Sequence, residues 1–433
     1  MMKHSMHTRV YTSGVSVRPP KKRTTWRRRF SVFGLLAGAL YVTAASWLIP
    51  AHAVAGITTV SAYPQASTKV SLAWPNYGQA AVGAVGYGML ASHNTDHALA
   101  TASVIKIVTA LSVLAKHPLK PGEAGPTLTM TQQDADLYQW YITHHGSVIP
   151  IRAGQKLSER QALDALLLRS ANNMADTLAR WAFGSHDNYQ AFASNYVRQL
   201  GMPNTRIGSD ASGFDPSSKS TASDLVTLGL KAMDTPALAE IVGQKSAVIP
   251  EVGTIHSTNN LLGVRGIIGI KTGNNAQDMG AYLFASDYAI SADKTIRIIG
   301  AVMGASSITE AKQDALSLLV SAEKGFTARK LFQAGQVIGT FQPAWTTKSV
   351  QAQVVNDVKV FGWRGMPLHL DINLATVSAP AQAGNRVGVI TIGTGSQKKP
   401  VGSVILAKSI AEPSLWWRLT HPLHGRQIQQ QDS

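Results

Sequence analysis

The stretch Ser103–Lys116, SVIKIVTALSVLAK, is apolar on nearly every face. A helix without a polar stripe has no side to offer water, so other elements must enclose it in the middle of a domain. The chain can supply such surroundings. It has 433 residues, 45% of them hydrophobic and 15% charged, which is enough for two or three domains and excludes a wholly disordered chain. Lys106 interrupts this apolar helix, and a buried amine needs a partner or a role.

Around it, residues 55–330 alternate apolar runs with turn-rich loops. Leu157–Leu168, Ala175–Phe183, Ser223–Met233 and Ile308–Ala322 read as amphipathic helices. Val82–Leu90, Gly266–Thr272, Gly280–Ser286 and Arg297–Met303 read as β-rich runs. Helices between separated strands predict a mixed α/β domain. Residues 331–412 change character. Val337–Phe341, Val350–Val360, Leu368–Leu374, Val387–Ile392 and Val401–Ala407 look like strands, with Gly393-Thr394-Gly395-Ser396 as a turn. They predict a small all-β domain, followed by a tail over 413–433. Within the tail, Leu415-Trp416-Trp417-Arg418-Leu419 has room for about two helical turns between Pro413 and Pro422, and local packing is expected of it.

The net charge of +16 points to nucleic acid only until it is located. Residues 1–29 hold nine lysines and arginines and no acid, so more than half of the charge sits in a terminal tail. A nucleic-acid partner is not expected. The run Phe30–Ile49 then has 20 residues without a charge, long enough for a helix to cross a bilayer. Basic residues before an apolar span stay in the cytoplasm, and the chain beyond the span goes outside. Residues 30–53 therefore read as a signal peptide or membrane anchor, with Ala51-His52-Ala53 in the form of a cleavage site. The expected location is the extracytoplasmic face of a bacterial membrane. Cysteine is absent, which removes disulfides, thiolate metal sites and cysteine nucleophiles. His144-His145-Gly146 has neither an acidic cluster nor a zincin pattern, so neither metal nor organic cofactor is expected. Tyr138, Trp140 and Tyr141 just before it read as a packing group.

Three short motifs carry chemistry. Ser103-Val104-Ile105-Lys106 places a hydroxyl and an amine three residues apart, on one helical face. A serine is a weak nucleophile until a base takes its proton, and a lysine becomes such a base when burial or nearby positive charge lowers its pKa. Ser170-Ala171-Asn172 offers a proton relay and an amide that both donates and accepts. Lys271-Thr272-Gly273 ends an apolar run with a cation, a hydroxyl and a glycine that lets backbone approach a ligand. Each tripeptide alone is commonplace at a helix cap or strand end. Their order, within one domain-sized segment and each at an element boundary, is the serine penicillin-recognising signature.

On these residues the chain resembles the low-molecular-mass penicillin-binding proteins, the serine-type D-alanyl-D-alanine carboxypeptidases. The likeness extends to Ser170-Ala171-Asn172-Asn173-Met174-Ala175, to Asp210-Ala211-Ser212-Gly213 followed by Ser220-Thr221-Ala222-Ser223-Asp224, and to Asn259-Asn260-Leu261-Leu262. It implies a serine β-lactamase/transpeptidase-like domain followed by a β-rich domain. It implies Ser103 as the acylated nucleophile, Lys106 as its base and Ser170 as a partner in proton transfer. Asn172 would hold the substrate peptide, and Lys271, Thr272 and Gly273 its terminal carboxylate. The backbone N–H groups of Ser103 and Asn274 would form the oxyanion hole. The substrate would be a peptidoglycan stem peptide ending in D-Ala-D-Ala, and β-lactams would acylate the same serine.

Some positions depart from the family pattern. Ile105 stands where threonine is usual, Asn173 where aspartate is, and Lys312 at the place of a late arginine. A D,D-endopeptidase shares all three motifs. A class A β-lactamase would need a deacylating glutamate, and no E-x-x-L-N lies between Ser170 and Lys271. A cell-wall-binding protein with a dead site is the reading from another class, and the intact trio counts against it.

Overall fold

A computed structural model of the chain describes residues 24–48, 53–60, 69–274, 280–291, 294–365, 369–393 and 398–421. The chain divides into two compact units. One holds residues 65–329 and 361–367, the other residues 1–64, 330–360 and 368–433. The helices are α1 (Thr24–Leu48), α2 (Lys106–Lys116), α3 (Gln132–Thr143), α4 (Glu159–Leu167), α5 (Asn172–Phe183), α6 (His186–Gln199), α7 (Ala222–Met233), α8 (Pro236–Val242), α9 (Ile308–Glu323) and α10 (Leu415–Thr420).

The larger unit is built on an antiparallel sheet of five strands, β1 (Gln79–Ala84), β2 (Gly88–His93), β3 (Ile267–Gly273), β4 (Gly280–Ser291) and β5 (Lys294–Ala305), in the order β3-β4-β5-β1-β2. Side chains alternate across it. Along β5, Ile299, Ala301 and Met303 enter one core while Ile298 and Val302 enter another. The first core takes in α2, α5 and α7, and the second takes Ala311, Ala315, Leu318 and Leu319 of α9. Between Lys106 and Leu114 every residue of α2 is buried, as its all-round apolarity requires.

Local structure departs from the sequence reading at several points. The helix expected over 103–116 opens as a 3-10 turn, Ala102–Ile105, before α2 begins. The run Val82–Leu90 is a hairpin, because Gly86 and Gly88 take positive φ and turn the chain between β1 and β2. The start of the helix expected over 157–168 is instead strand Lys156–Ser158, and α4 follows a capping box formed by Ser158 and Gln161. Helix α3 carries no clear apolar stripe, whereas α6 buries Tyr189, Ala193 and Val197 at a spacing of four; the side chains of Thr131 and Ser185 cap the two helices, accepting from Asp134 N–H and Asn188 N–H.

The smaller unit holds a six-stranded antiparallel sheet. Its order is Leu370–Leu374, Arg386–Ile392, Lys399–Leu406, Val350–Val354, Val337–Phe341 and Gly56–Thr58. The run expected as one strand over 350–360 breaks into Val350–Val354 and Val358–Trp363. Two boundaries move. Strand Gly56–Thr58 pairs with Val337–Phe341, and Ala53–Val54 pairs with Val377–Ser378, so the residues just after the expected anchor complete the β unit rather than opening the α/β one. Val54 is buried in its core. Conversely, Phe361–Pro367 belongs to the larger unit, where Phe361 and Trp363 pack on Phe326. Edge pairing between distant segments leaves no local trace that a domain boundary could be read from.

In α10, Trp417 packs edge-on against Trp345, whose Nε1 donates to Ala411 O, while Trp416 stays exposed. The apolar run of residues 30–49 falls mostly within α1, whose side chains are described over residues 29–42. Among the described residues, no helix is long and apolar enough to cross a membrane. The basic tail before residue 24, Ala51-His52, the Thr394–Ser396 turn and Gln427–Ser433 lie outside the described residues.

Candidate active site

Ser103 sits in the 3-10 turn that leads into α2, and Lys106 is the first residue of that helix. Their spacing brings Lys106 Nζ to 2.8 Å from Ser103 Oγ. The amine is fully buried and donates twice more, to Asn172 Oδ1 at 2.7 Å and to the Ser212 carbonyl at 2.7 Å. Burial lowers the Lys106 pKa to about 7, against the opposing pull of Asp210 and Asp176. At neutral pH a substantial fraction of the amine is therefore unprotonated and able to accept a proton.

Asn172 opens α5, and its backbone N–H donates to Ser147 O at 2.7 Å. The next residue, Asn173, exchanges two hydrogen bonds with Ile149. Ile149 N–H donates to its Oδ1 at 3.3 Å, and its Nδ2 donates to Ile149 O at 3.0 Å. An amide serves both roles, which an ionised carboxylate could not. The departure from the family's aspartate thus locks the 147–149 strip onto α5.

Ser170 and Ala102 both take a positive φ, 63° and 45°. Non-glycine residues are held there only where their surroundings enforce it, and such sites cluster around function. Ser170 Oγ accepts from Lys271 Nζ at 2.9 Å, and the same amine donates to Thr272 O at 2.8 Å. Lys271 is buried on β3. Burial and then the charges of Lys106 and Lys312 hold its pKa well below the usual lysine range. Thr272 Oγ1 lies 2.9 Å from Thr258 Oγ1. Gly273 lets β3 pass close to the turn that carries Ser103: a Cβ there would lie 2.9 Å from Thr101 O and 3.0 Å from Val104 Cγ2. Lys312 reaches the same wall from α9, donating to Asn260 Oδ1 at 2.8 Å and Thr258 O at 3.2 Å.

A cavity of about 500 Å³ opens over this arrangement, lined by Ser103, His145, Gly146, Asn172, Phe214 and Asn274 among others. Ser103, Asn172 and Asn274 reach the cavity itself, and hydrogen bonds tie Lys106 to the first two. Lys271 and Ser170 bond to each other beside Thr272. The sequence-expected residues are thus gathered at one place. Sequence reasoning missed the layer beneath them. Asp176, one helical turn after Asn172, accepts from Tyr141 Oη at 2.5 Å and from Ala211 N–H at 3.0 Å. Asp210 accepts from Ser212 N–H and Ser212 Oγ at 2.6 and 2.7 Å. The i, i+4 spacing of Asn172 and Asp176 was the available signal. Tyr141, read as packing, is buried, and it also touches the edge of Phe214. Trp140 is stacked on His144 and half exposed. No group of histidines and acids among the described residues could hold a metal ion.

A buried lysine bonded to a partly exposed serine that lines a cavity, with a second serine–lysine pair nearby, is the arrangement of a serine acyl-transferring hydrolase. The profile of peptidase family S11, D-alanyl-D-alanine carboxypeptidase, matches residues 82–307. The chain belongs to this family, and it is a serine-type D-alanyl-D-alanine carboxypeptidase, a hydrolase. It is 24% identical to D-alanyl-D-alanine carboxypeptidase DacD of Escherichia coli over 292 residues, 65% of this chain and 73% of that protein. With D-alanyl-D-alanine carboxypeptidase DacB2 of Mycobacterium tuberculosis it shares 31% over 192 residues, 43% of this chain and 61% of the relative. In fold it is similar to penicillin-binding protein 5 from Haemophilus influenzae, with a TM-score of 0.54 at 19% identity, covering 80% of this chain and 99% of that one.

Proposed function

We propose that Ser103 is the residue acylated by stem peptides ending in D-Ala-D-Ala, with Lys106 as its base. The observation that carries this is the 2.8 Å contact between Lys106 Nζ and Ser103 Oγ, made by an amine whose pKa burial has brought to about 7. Lys106 takes the serine proton as Oγ attacks the carbonyl carbon of the penultimate D-alanine. The N–H groups of Ser103 and Asn274 receive the developing oxyanion. The terminal D-alanine leaves as its nitrogen takes the proton passed on from Lys106 by way of Ser170, and the freed Lys106 then accepts a proton from the water that releases the shortened peptide from Ser103. Asn172 orients the substrate amide. Lys271, Thr272 and Gly273 hold the terminal carboxylate, with Lys312 adding positive charge to that wall. A β-lactam places its strained amide over the same serine and forms a slow-leaving acyl-enzyme.

The basic tail and the apolar run of residues 30–49 support an export or anchoring segment that delivers both units to the extracytoplasmic face. Partitioning of the full chain into detergent, and its loss on deleting residues 1–48, would test the anchor.

The reaction is tested by incubating the purified chain with a pentapeptide ending in D-Ala-D-Ala and weighing the products. Loss of one alanine is expected with the wild type and not with Ser103→Ala. No loss with a folded wild-type sample, together with cleavage of cross-linked peptides, would replace this reading with an endopeptidase.

A further inference from the structure

Beneath Lys106 lies a polar layer that the acylation and hydrolysis steps do not use. Asp176 is part-buried on α5, one turn after Asn172, and both of its oxygens are engaged. Oδ2 accepts from Tyr141 Oη at 2.5 Å, and Oδ1 accepts from Ala211 N–H at 3.0 Å. Ala211 precedes Ser212, whose carbonyl accepts from Lys106 Nζ, and Tyr141 Oη lies 3.5 Å from Ser212 Oγ. The aspartate therefore ties three pieces together: the helix carrying Asn172, the helix carrying Tyr141, and the loop whose carbonyl grips the amine.

We propose that Asp176 and Tyr141 are positioning residues for Lys106: they hold the Ser212 carbonyl against its Nζ and keep a negative charge beside it. The inference rests on Lys106 being the base for Ser103. Asp176 accepts from Ala211 N–H and Tyr141 Oη approaches Ser212 Oγ, next to the carbonyl that accepts from Lys106, so both act through Lys106.

The charges facing Lys106 come from several elements. Asp176 on α5 and Asp210 in the loop before Ser212 favour its protonated form. Lys271 on β3 is a competing cation, and its own pKa is depressed by Lys106. On α6, His186 acts on Asp176, and buried Tyr189 is held by Thr109. Tyr141 on α3 stays neutral, its pKa raised by burial and by Asp176. Burial raises the Asp176 pKa, while the tyrosine and the Ala211 N–H pull it back. Those two donors keep a carboxylate charged in a place where solvent would not. Against the large cost of burying an ammonium, this charge moves the Lys106 titration upward, toward neutrality.

The test is the rate of Ser103 acylation by benzylpenicillin across the neutral range, followed by intact mass, with melting curves for each variant. In Asp176→Asn the amide oxygen can still accept from Ala211 N–H while Nδ2 donates to Tyr141 Oη, and the charge is gone. The midpoint of the rise in rate should move down by about half to one pH unit. Asp176→Glu keeps the charge and should keep the wild-type midpoint, whatever its plateau. Tyr141→Phe should shift the midpoint in the same direction as Asp176→Asn, by less. A plateau lowered at every pH with an unmoved midpoint in both Asp176→Asn and Tyr141→Phe would mean a purely structural role and overturn the inference. If Asp176→Asn does not melt cooperatively, Tyr141→Phe decides alone. Lys106→Ala separates the two levels. If it still acylates with the wild-type midpoint, the assignment of the base fails. If it is inert while Asp176→Asn keeps the wild-type midpoint, only the positioning role of Asp176 and Tyr141 falls.

Discussion

Ser170 Oγ and Lys271 Nζ lie 2.9 Å apart, although 101 residues separate them in the chain. Both are buried, and the lysine has no acidic partner within ion-pair distance among the described residues. An amine kept in that state holds its proton weakly, and an incoming carboxylate beside it would favour its charged form. Lys271→Met should lower acylation by a substrate or a β-lactam by about 100-fold or more, the scale of losing one preorganised donor. Its melting temperature should stay near that of the wild type, since a buried ammonium is replaced by an apolar chain of similar length. Stopped-flow acylation and calorimetry check the two halves.

The Lys106 pKa of about 7 sets a pH profile. The base must be unprotonated to act, so acylation should rise with pH, reach half its limit near 7 and level off above. Below the midpoint the rate should fall about tenfold per pH unit. A profile flat from pH 5 to about 9 would contradict a lysine base.

Gly213 has a φ of +71°, and a Cβ there would lie 2.2 Å from Ala102 O and 2.7 Å from Ile105 Cγ2. Gly213→Ala therefore strains the backbone and pushes on the turn that carries Ser103. A destabilisation of about 1–3 kcal/mol is expected, with acylation falling further than stability. Denaturant unfolding measures the first and β-lactam labelling the second.

Glu159 is buried at the start of α4, and neither carboxylate oxygen has a hydrogen-bond partner among the described residues. Burial pushes its pKa up to about 7. The folded state thus binds this proton more tightly than the unfolded chain does. The stability that the proton confers is complete below the ordinary carboxylate pKa and is lost as pH rises through 7. Glu159→Gln should melt close to the wild type at pH 5 and about 2–4 °C higher at pH 8. Equal shifts at both values would show that the carboxyl is not titrating there.

Val54 is 3% exposed, and strand Gly56–Thr58 forms an edge of the six-stranded sheet. Truncation before Ala53 should leave the β unit's melting transition unchanged. Truncation before Thr59 should lower it by several degrees, by removing a buried side chain and an edge strand. Differential scanning calorimetry resolves the two.

Parts of this architecture were legible in the residues. The all-round apolarity of the 103–116 segment announced a central helix, and α2 is buried along its length up to Leu114. Strand Val337–Phe341 was read with the ends it has in the structure. Helix α3 was not legible, because a cap at Thr131 decides it more than any apolar periodicity, while α6 went unread although Tyr189, Ala193 and Val197 recur at helical spacing. The hairpin within 82–90 was hidden because both of its strands are rich in small residues. Pairing of residues 53–58 into the β unit left no local sign at all.

The sequence by itself determined which side chains could react. A hydroxyl and an amine three residues apart must share a helical face, whatever surrounds them, and the order of the three motifs identified the family. Only the tertiary structure decided how they behave. The lowered pKa of Lys106 comes from complete burial, moderated by Asp210 and Asp176, and the Ser170–Lys271 contact comes from the approach of β3 to α5. Desolvation and Coulomb interaction depend on every group within a few ångströms, and chain folding chooses those neighbours from distant stretches of sequence.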